Sequence, residues 1–170
     1  MPLYLIVGPA GSGKSTVGRM LGTRLGLRCA DTSAALVEEG RRRAAAGEAV
    51  PWDPERDRPT REWLVRRGNE RTDADPACLV RECVAAGARI VCGVRRLREL
   101  IAVRREFPGA VVAWVGGREG ADAHADNLEV CRGDATAVVR NDGTLAQLEE
   151  SVRCLVWMTS GPQYAEAQGC

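Results

Sequence analysis

Eight residues near the start of the chain, Gly8-Pro9-Ala10-Gly11-Ser12-Gly13-Lys14-Ser15, fit the spacing G-x-x-x-x-G-K-[ST]. The chemistry this order supports is the cradling of a polyphosphate. Glycines at 8, 11 and 13 let the backbone curl so that successive N–H groups, those of Ala10 and Ser12 among them, point inward at phosphate oxygens. A helix beginning at Lys14 adds the partial positive charge of its N-terminus. The Lys14 ammonium is placed to bridge β- and γ-phosphates, the Ser15 hydroxyl to ligate Mg²⁺, and Thr16 to touch the α-phosphate. Lys14 is also the sole lysine of the chain; arginine fills every other one of the 24 basic positions. A lysine kept at this one place fits a site that needs a compact ammonium rather than a planar guanidinium.

The other candidates are arginines. Arg61, Arg71, Arg95 and Arg96 fall in segments expected to begin or end near one edge of a sheet, and guanidinium groups suit bidentate phosphate recognition. Arg95 stands out because it follows an apolar strand across Gly93. Arg41-Arg42-Arg43 and Arg104-Arg105 lie mid-helix and read as solvated surface. Asp31 follows a short strand at its carboxyl end.

The elements that must hold these residues alternate. Leu3–Val7 is a continuous apolar run, as in a central parallel strand. Lys14–Leu25 has helical periodicity through Val17, Met20, Leu21 and Leu25, and Gly26 stops it. Leu27–Ala30 reads as a strand, and Asp31-Thr32-Ser33 as the cap of a helix over Ala34–Ala46. Gly47–Pro59, with its prolines and charges, reads as an irregular loop. Arg61–Gly68 and Pro76–Ala86 read as helices, Ala88–Cys92 as a strand, Leu97–Phe107 as a helix and Ala110–Val115 as a strand. Gly116–Asp134 is a polar excursion, Ala135–Val139 a fifth strand, Leu145–Met158 a helix capped by Thr144, and Ser160–Cys170 a tail. The fold class expected is therefore α/β, with five parallel strands, helices on both faces and ligands at the carboxyl ends of the strands.

Composition bounds the rest. A chain of 170 residues, 45% of them apolar, suits one domain with one sizeable core. A net charge of +1 gives no electrostatic case for nucleic acid or a membrane surface as partner. No apolar run approaches the ~20 residues of a membrane-spanning helix, and Met1–Gly8 has neither a basic leader nor a cleavage site. The seven cysteines form no C-x-x-C pair. They read as reduced thiols of a cytoplasmic protein rather than as a disulfide framework or zinc site. A nucleotide switch would need a guanine-reading N-K-x-D element, which a chain without a second lysine lacks, and the size argues against a motor. Oligomeric state is left open, a homodimer included. Trp52 and Trp63 are candidates for stacking on a base or for anchoring the core.

The order of these motifs resembles a known family. The phosphate loop is followed by Arg61-x-x-Leu64-x-x-x-Gly68-x-x-Arg71, then Ile90-Val91-Cys92-Gly93-Val94-Arg95 with Glu99, then Ala123-His124-Ala125-Asp126, then Asn141-Asp142-Gly143-Thr144-Leu145. In this it resembles bacteriophage-type deoxynucleoside monophosphate kinases and, more distantly, dephospho-CoA kinases and the adenylate kinase group. The resemblance runs from Leu3 to about Leu155 and implies a three-layer P-loop NTPase fold. It further implies a core for ATP and Mg²⁺, an acceptor-binding region over about 33–87 and a short lid over about 116–133. The reaction implied is transfer of the γ-phosphoryl of ATP to a nucleoside monophosphate, so that the partners are small nucleotides. Arg95 would hold the acceptor phosphate, Arg61 and Arg71 would line the acceptor side, and Arg118 would be a lid arginine. Asn141 and Gly143 would pack by the donor's adenine. Asp31 would sit near the acceptor's sugar, or act as base or as ligand to a metal-bound water. The chain departs from the family at Cys92-Gly93, where relatives often carry an Asp of the metal shell. A kinase for another small metabolite (dephospho-CoA, or one like shikimate or gluconate) and a non-catalytic nucleotide-binding module remain alternatives.

Overall fold

In the computed structural model, which describes residues 1–117 and 128–160, Tyr4–Val7 (β1) is fully buried and lies at the centre of a five-stranded parallel sheet. The elements follow in the order α1 (Lys14–Leu25), β2 (Cys29–Asp31), α2 (Thr32–Ala45), β3 (Trp52–Asp53), β4 (Arg58–Pro59), α3 (Arg61–Ala74), α4 (Cys78–Ala85), β5 (Ile90–Cys92), α5 (Leu97–Glu106), β6 (Val111–Gly116), β7 (Ala137–Arg140) and α6 (Leu145–Ser160). The sheet order is β2-β5-β1-β6-β7, so the chain leaves β1, crosses to one edge and later returns to the other side of β1.

Alternation along β1 builds two cores from four residues. Tyr4 and Ile6 pack with Val17 and Leu21 of α1 and with Leu148, Val152 and Leu155 of α6. Leu5 and Val7 face the other way, onto Val80 and Cys83 of α4 and Leu100 and Val103 of α5. The period of two along a strand puts neighbours on opposite faces, so an unbroken apolar run is what a strand covered on both sides requires. Tyr4 carries the one polar atom of this run, and its hydroxyl bonds Thr159 Oγ1 at 2.9 Å. A third cluster, Leu36, Trp63, Leu64 and Leu79, binds α2, α3 and α4 into a helical subassembly beside the sheet.

The structure departs from the sequence expectation at several boundaries, three of which bear on the site. Within 47–59 there is a small antiparallel hairpin, with Trp52 opposite Pro59 and Asp53 opposite Arg58, and Asp57 at its tip has φ 46°. Helix α3 runs on past Gly68 to Ala74. A glycine inside a helix costs only about 1 kcal/mol, and a Cβ at Gly68 would come 3.2 Å from Leu36 Cδ1, so the small residue lets α2 approach. The second strand ends at Asp31 rather than Ala30, and Asp31 is at once its last residue and the N-cap of α2. No described helix is long and apolar enough to cross a membrane.

Candidate active site

The loop between β1 and α1 curls as its glycines allow. Gly8 has φ 142°, and a Cβ there would lie 2.3 Å from Val115 O on the neighbouring strand. Gly13, the N-cap of α1, has φ 95°, and a Cβ there would lie 2.3 Å from Asn141 Nδ2. The first-turn amides of α1, including those of Lys14, Ser15 and Thr16, have no acceptor within their own helix. No acidic side chain stands in that turn. Ser12 is buried, and its Oγ is an orphan polar atom among the described residues. The cradle is thus lined with donors and carries no negative charge of its own, which fits the phosphates of ATP.

Two side chains hold the loop's shape. Lys14 folds back so that Nζ donates to Gly8 O at 2.9 Å and to Pro9 O at 2.6 Å. Asn141, buried after β7, donates from Nδ2 to Ser12 O at 2.7 Å, while its own amide bonds Gly116 O at 2.8 Å. Asn141 therefore braces the loop from across the sheet. Gly143 lies exposed in the following turn, covered by Gln147.

Asp31 accepts from Ser33 N at 2.9 Å and from Ser33 Oγ at 2.7 Å, both on Oδ1, which caps α2. It faces a cavity of about 180 Å³ that α2, α3, α4, β4 and the loop after β5 enclose. Arg58, Arg61 and Arg95 line the same cavity, with Asn69, Arg96 and Glu99 among the polar groups and Leu36, Leu64, Val65, Leu79 and Val80 among the apolar ones. Burial lowers the pKa of Lys14, the nearby Arg95 lowers it further, and Asp31 opposes both. Arg95 is likewise shifted down, first by burial and then by Arg61, against the pull of Asp31 and Glu99. Lys14, Asp31 and Arg95 are close enough to feel one another's charge. The loop after β5, which lines the cavity through Gly93 and Arg95, follows Cys92, whose thiol points at Lys14 O.

For Mg²⁺ the donors are few. Among the described residues no cluster of three or more His, Cys, Asp or Glu could hold a metal. An Mg²⁺ ion bound with a nucleotide would take its ligands chiefly from phosphate oxygens and water, and Ser15 is the hydroxyl the sequence offers for it. Cys92 does not replace the acid that the resemblance places there. A hydrogen bond with Cys29, and then burial, hold its thiol protonated, and it points at Lys14 O, 3.7 Å away.

Of the residues singled out from the sequence, Asp31, Arg61, Arg95 and Arg96 come together in the cavity. Arg71 does not join them. It pairs with Glu39, at 3.4 Å, and with Glu82, in an open basin that Arg43 and Arg67 share. Arg118 and the segment 123–126 lie outside the described residues. Arg58 and Glu99 were missed as cavity residues. The first sits in a hairpin that its prolines disguise; the second is marked only by its place three residues after Arg96.

Strand, phosphate loop and helix in this order, on a parallel sheet of order β2-β5-β1-β6-β7, define the P-loop NTPase fold in the form that P-loop kinases have. No protein-family model matches the chain, and no curated protein does. Solved structures do. A gluconokinase from Sinorhizobium meliloti 1021 superposes with a TM-score of 0.58 at 17% identity, over 97% of this chain and 97% of that one. The shikimate kinase of Acinetobacter baumannii, in complex with shikimate, gives 0.54 at 18% identity over 95% of each chain. A sugar kinase from Janibacter sp. HTCC2649 gives 0.53 at 19%, over 96% of this chain and 98% of that one.

Proposed function

We propose that this chain is an ATP-dependent phosphotransferase whose acceptor is a hydroxyl group of a small anionic metabolite. One observation carries the reading: Asp31 and Arg95 line one cavity whose wall includes Gly93, and the thiol of the preceding Cys92 points at Lys14 O, 3.7 Å away, so an acceptor there would lie near a triphosphate on the loop. Lys14 and the first-turn amides would hold the β- and γ-oxygens. Ser15 would bind Mg²⁺, which supplies further charge neutralisation when present. Arg95, with Arg61 and Arg58 behind it, would fix the acceptor's anionic group. Asp31 would orient the attacking hydroxyl and take its proton as the oxygen bonds to the γ-phosphorus and the β–γ bridge breaks. Positioning and charge compensation are what such a transfer chiefly demands.

The solved neighbours named for gluconate, shikimate and sugar support a polyol-like acceptor more than the nucleoside monophosphate that the resemblance implies. The cavity supports the same choice. The cavity has a volume of about 180 Å³, and among the described residues no aromatic ring lines it for a base to stack on. Trp63 is buried against Leu36, Leu64 and Leu79 instead. A nucleoside monophosphate stays the second reading, because the same arginines would grip its phosphate.

The test is ADP release with ATP and Mg²⁺ against gluconate, shikimate, simple sugars, dephospho-CoA and the nucleoside monophosphates. Turnover stimulated by a hydroxy acid, and not by the neutral sugars or the nucleotides, supports the proposal. Stimulation by a nucleoside monophosphate alone replaces it with the second reading. Tight ATP binding with no stimulation by any of them would point to a nucleotide-binding module.

A further inference from the structure

The backbone that presents Arg95 is stitched to a distant part of the chain. The amides of Glu129 and Val130 both donate to Arg95 O, at 2.9 and 3.0 Å. The Glu129 carboxylate in turn accepts from Leu97 N at 3.1 Å, at the first turn of α5. Val130 is buried among the residues that pack α5 against the sheet, so this stitch has a fixed anchor. Glu99 braces the same loop from within the helix, accepting from Arg95 N at 3.2 Å and from Arg96 Nε at 2.9 Å. Arg96 extends the brace to α3 through Asp73, at 2.8 Å.

Two carboxylates therefore converge on the four-residue turn between β5 and α5. Glu99 is the expected one, a capping-box residue three positions into its own helix. Glu129 is not explained by capping alone. It comes from beyond β6, and its carboxylate takes the Leu97 amide while its own amide holds the Arg95 carbonyl.

We propose that Glu129 is a positioning residue for Arg95: by clamping the Arg95–Leu97 backbone to the buried Val130 segment it fixes where the guanidinium meets the acceptor's anionic group. The inference rests on the reading that Arg95 contacts the acceptor. Glu129 itself is exposed and stands outside both the cavity and the phosphate loop. Its removal should act on the acceptor side and leave the ATP side alone.

The experiment compares wild type with Glu129→Ala and Glu129→Gln, the latter keeping an oxygen that can accept from Leu97 N. Three readouts are taken: amide exchange over residues 93–100, KM for ATP and for the acceptor turned over fastest, and the affinity for inorganic phosphate with the loop filled by a non-hydrolysable ATP analogue. Losing one charged acceptor from an amide predicts, for Glu129→Ala, faster exchange at 95–97 and weaker phosphate binding. It also predicts an acceptor KM raised about 5- to 10-fold, with the KM for ATP unchanged. Glu129→Gln should recover most of this. Unchanged exchange, equal effects on both KM values, or a loss that Glu129→Gln does not recover would each overturn the proposal. If wild type turns over no acceptor, the functional reading fails by itself. Exchange and phosphate affinity then decide the role of Glu129, and it falls if Glu129→Ala leaves either unchanged.

Discussion

Asn141 and Ser12 are 129 positions apart in the chain, yet the Asn141 side chain donates to the Ser12 carbonyl at 2.7 Å and closes the phosphate loop from behind. The bond is buried, and Gly13 leaves room for it because a Cβ there would collide with the same amide nitrogen. Asn141→Ala leaves a buried carbonyl without its partner, a loss of about 1–3 kcal/mol. Thermal melting should fall by roughly 2–10 °C, and ATP affinity, read by calorimetry with Mg²⁺, should fall with it. Asn141→Asp should be worse than Ala, because it sets a carboxylate against a carbonyl in a cradle meant for phosphate. An Asp variant that binds ATP as wild type does would show that the brace is dispensable.

Lys14 makes ATP binding depend on pH in a direction the site fixes. Burial, then Arg95, hold its pKa below the usual lysine value of 10.5, against the pull of Asp31. A lysine whose folded pKa is depressed binds fewer protons folded than unfolded between the two values. Its buried charge therefore costs stability below the folded pKa, and the cost is relieved as pH rises through that value toward 10.5. ATP needs the charged form, so its affinity should fall as pH rises through that same window, below where an exposed lysine would lose its proton. The Lys14→Met variant should lack this alkaline limb. Lys14→Ala should lower transfer about 10²- to 10⁴-fold, which corresponds to roughly 3–5 kcal/mol of transition-state stabilisation.

What could be read from the sequence, and what could not, divides along a physical line. The loop from Gly8 to Ser15 and strands β1, β5 and β6 were legible because each is a contiguous pattern: a fixed spacing or an unbroken apolar run. The hairpin at Trp52–Asp53 and Arg58–Pro59 was not, since strands of two residues carry no periodicity. Arg61 and Arg71 looked alike because the sequence offered a helix only over Arg61–Gly68, with Arg71 beyond it, whereas one helix carries both. Ten residues at 100° each turn Arg71 about 80° away from Arg61. Arg61 thus shares a face with Val65, Gly68 and Thr72 on the cavity, while Arg71 shares one with Arg67 over Glu39. Choosing between those faces needs the position of α2, which only the tertiary fold supplies. The links of Asn141 to Ser12 and of Glu129 to Leu97 were hidden for the same reason.

The basin that holds Arg71 makes a stability prediction separate from catalysis. Glu39 is nearly buried and is paired with Arg43 at 2.9 Å, Arg67 at 2.7 Å and Arg71 at 3.4 Å. Burial alone would raise its pKa, but the hydrogen bonds from Arg67 and Arg43 outweigh that and hold it below the usual glutamate value of 4.5. A depressed carboxylate pKa contributes stability above the unfolded value, and that stability is lost as pH falls through the folded value. Glu39→Gln should therefore be about 1–3 kcal/mol less stable than wild type at pH 7. The gap should narrow in urea titrations taken below pH 4.5. Arg71→Ala should also lower stability while leaving the acceptor KM near wild type, and Arg95→Ala should do the reverse. An Arg71→Ala enzyme with a strongly raised acceptor KM would return Arg71 to the acceptor site.

Gly18, buried on the face of α1 that rests on the sheet, tests how firmly the helix behind the loop is seated. A Cβ there would lie 2.7 Å from Cys29 Sγ and 3.0 Å from Cys92 Sγ, the two thiols that fill the space between α1 and strands β2 and β5. An alanine in mid-helix would ordinarily gain up to about 1 kcal/mol over glycine. Forcing a methyl into a packed core costs about 1–3 kcal/mol, and here it meets two thiols of strands paired to each other in the sheet. Gly18→Ala should accordingly lose roughly 1 kcal/mol net in urea unfolding. It should also weaken ATP binding, because α1 can relieve the contact only by lifting, and Lys14 and Ser15 ride on its first turn. Adding Cys29→Ala opens the space that the methyl needs, so the double variant should recover part of both losses, a non-additivity expected only of groups in contact. If Gly18→Ala were as stable as wild type with unchanged ATP affinity, α1 would have slack at this contact, and the close seating of the helix would not be what fixes the loop.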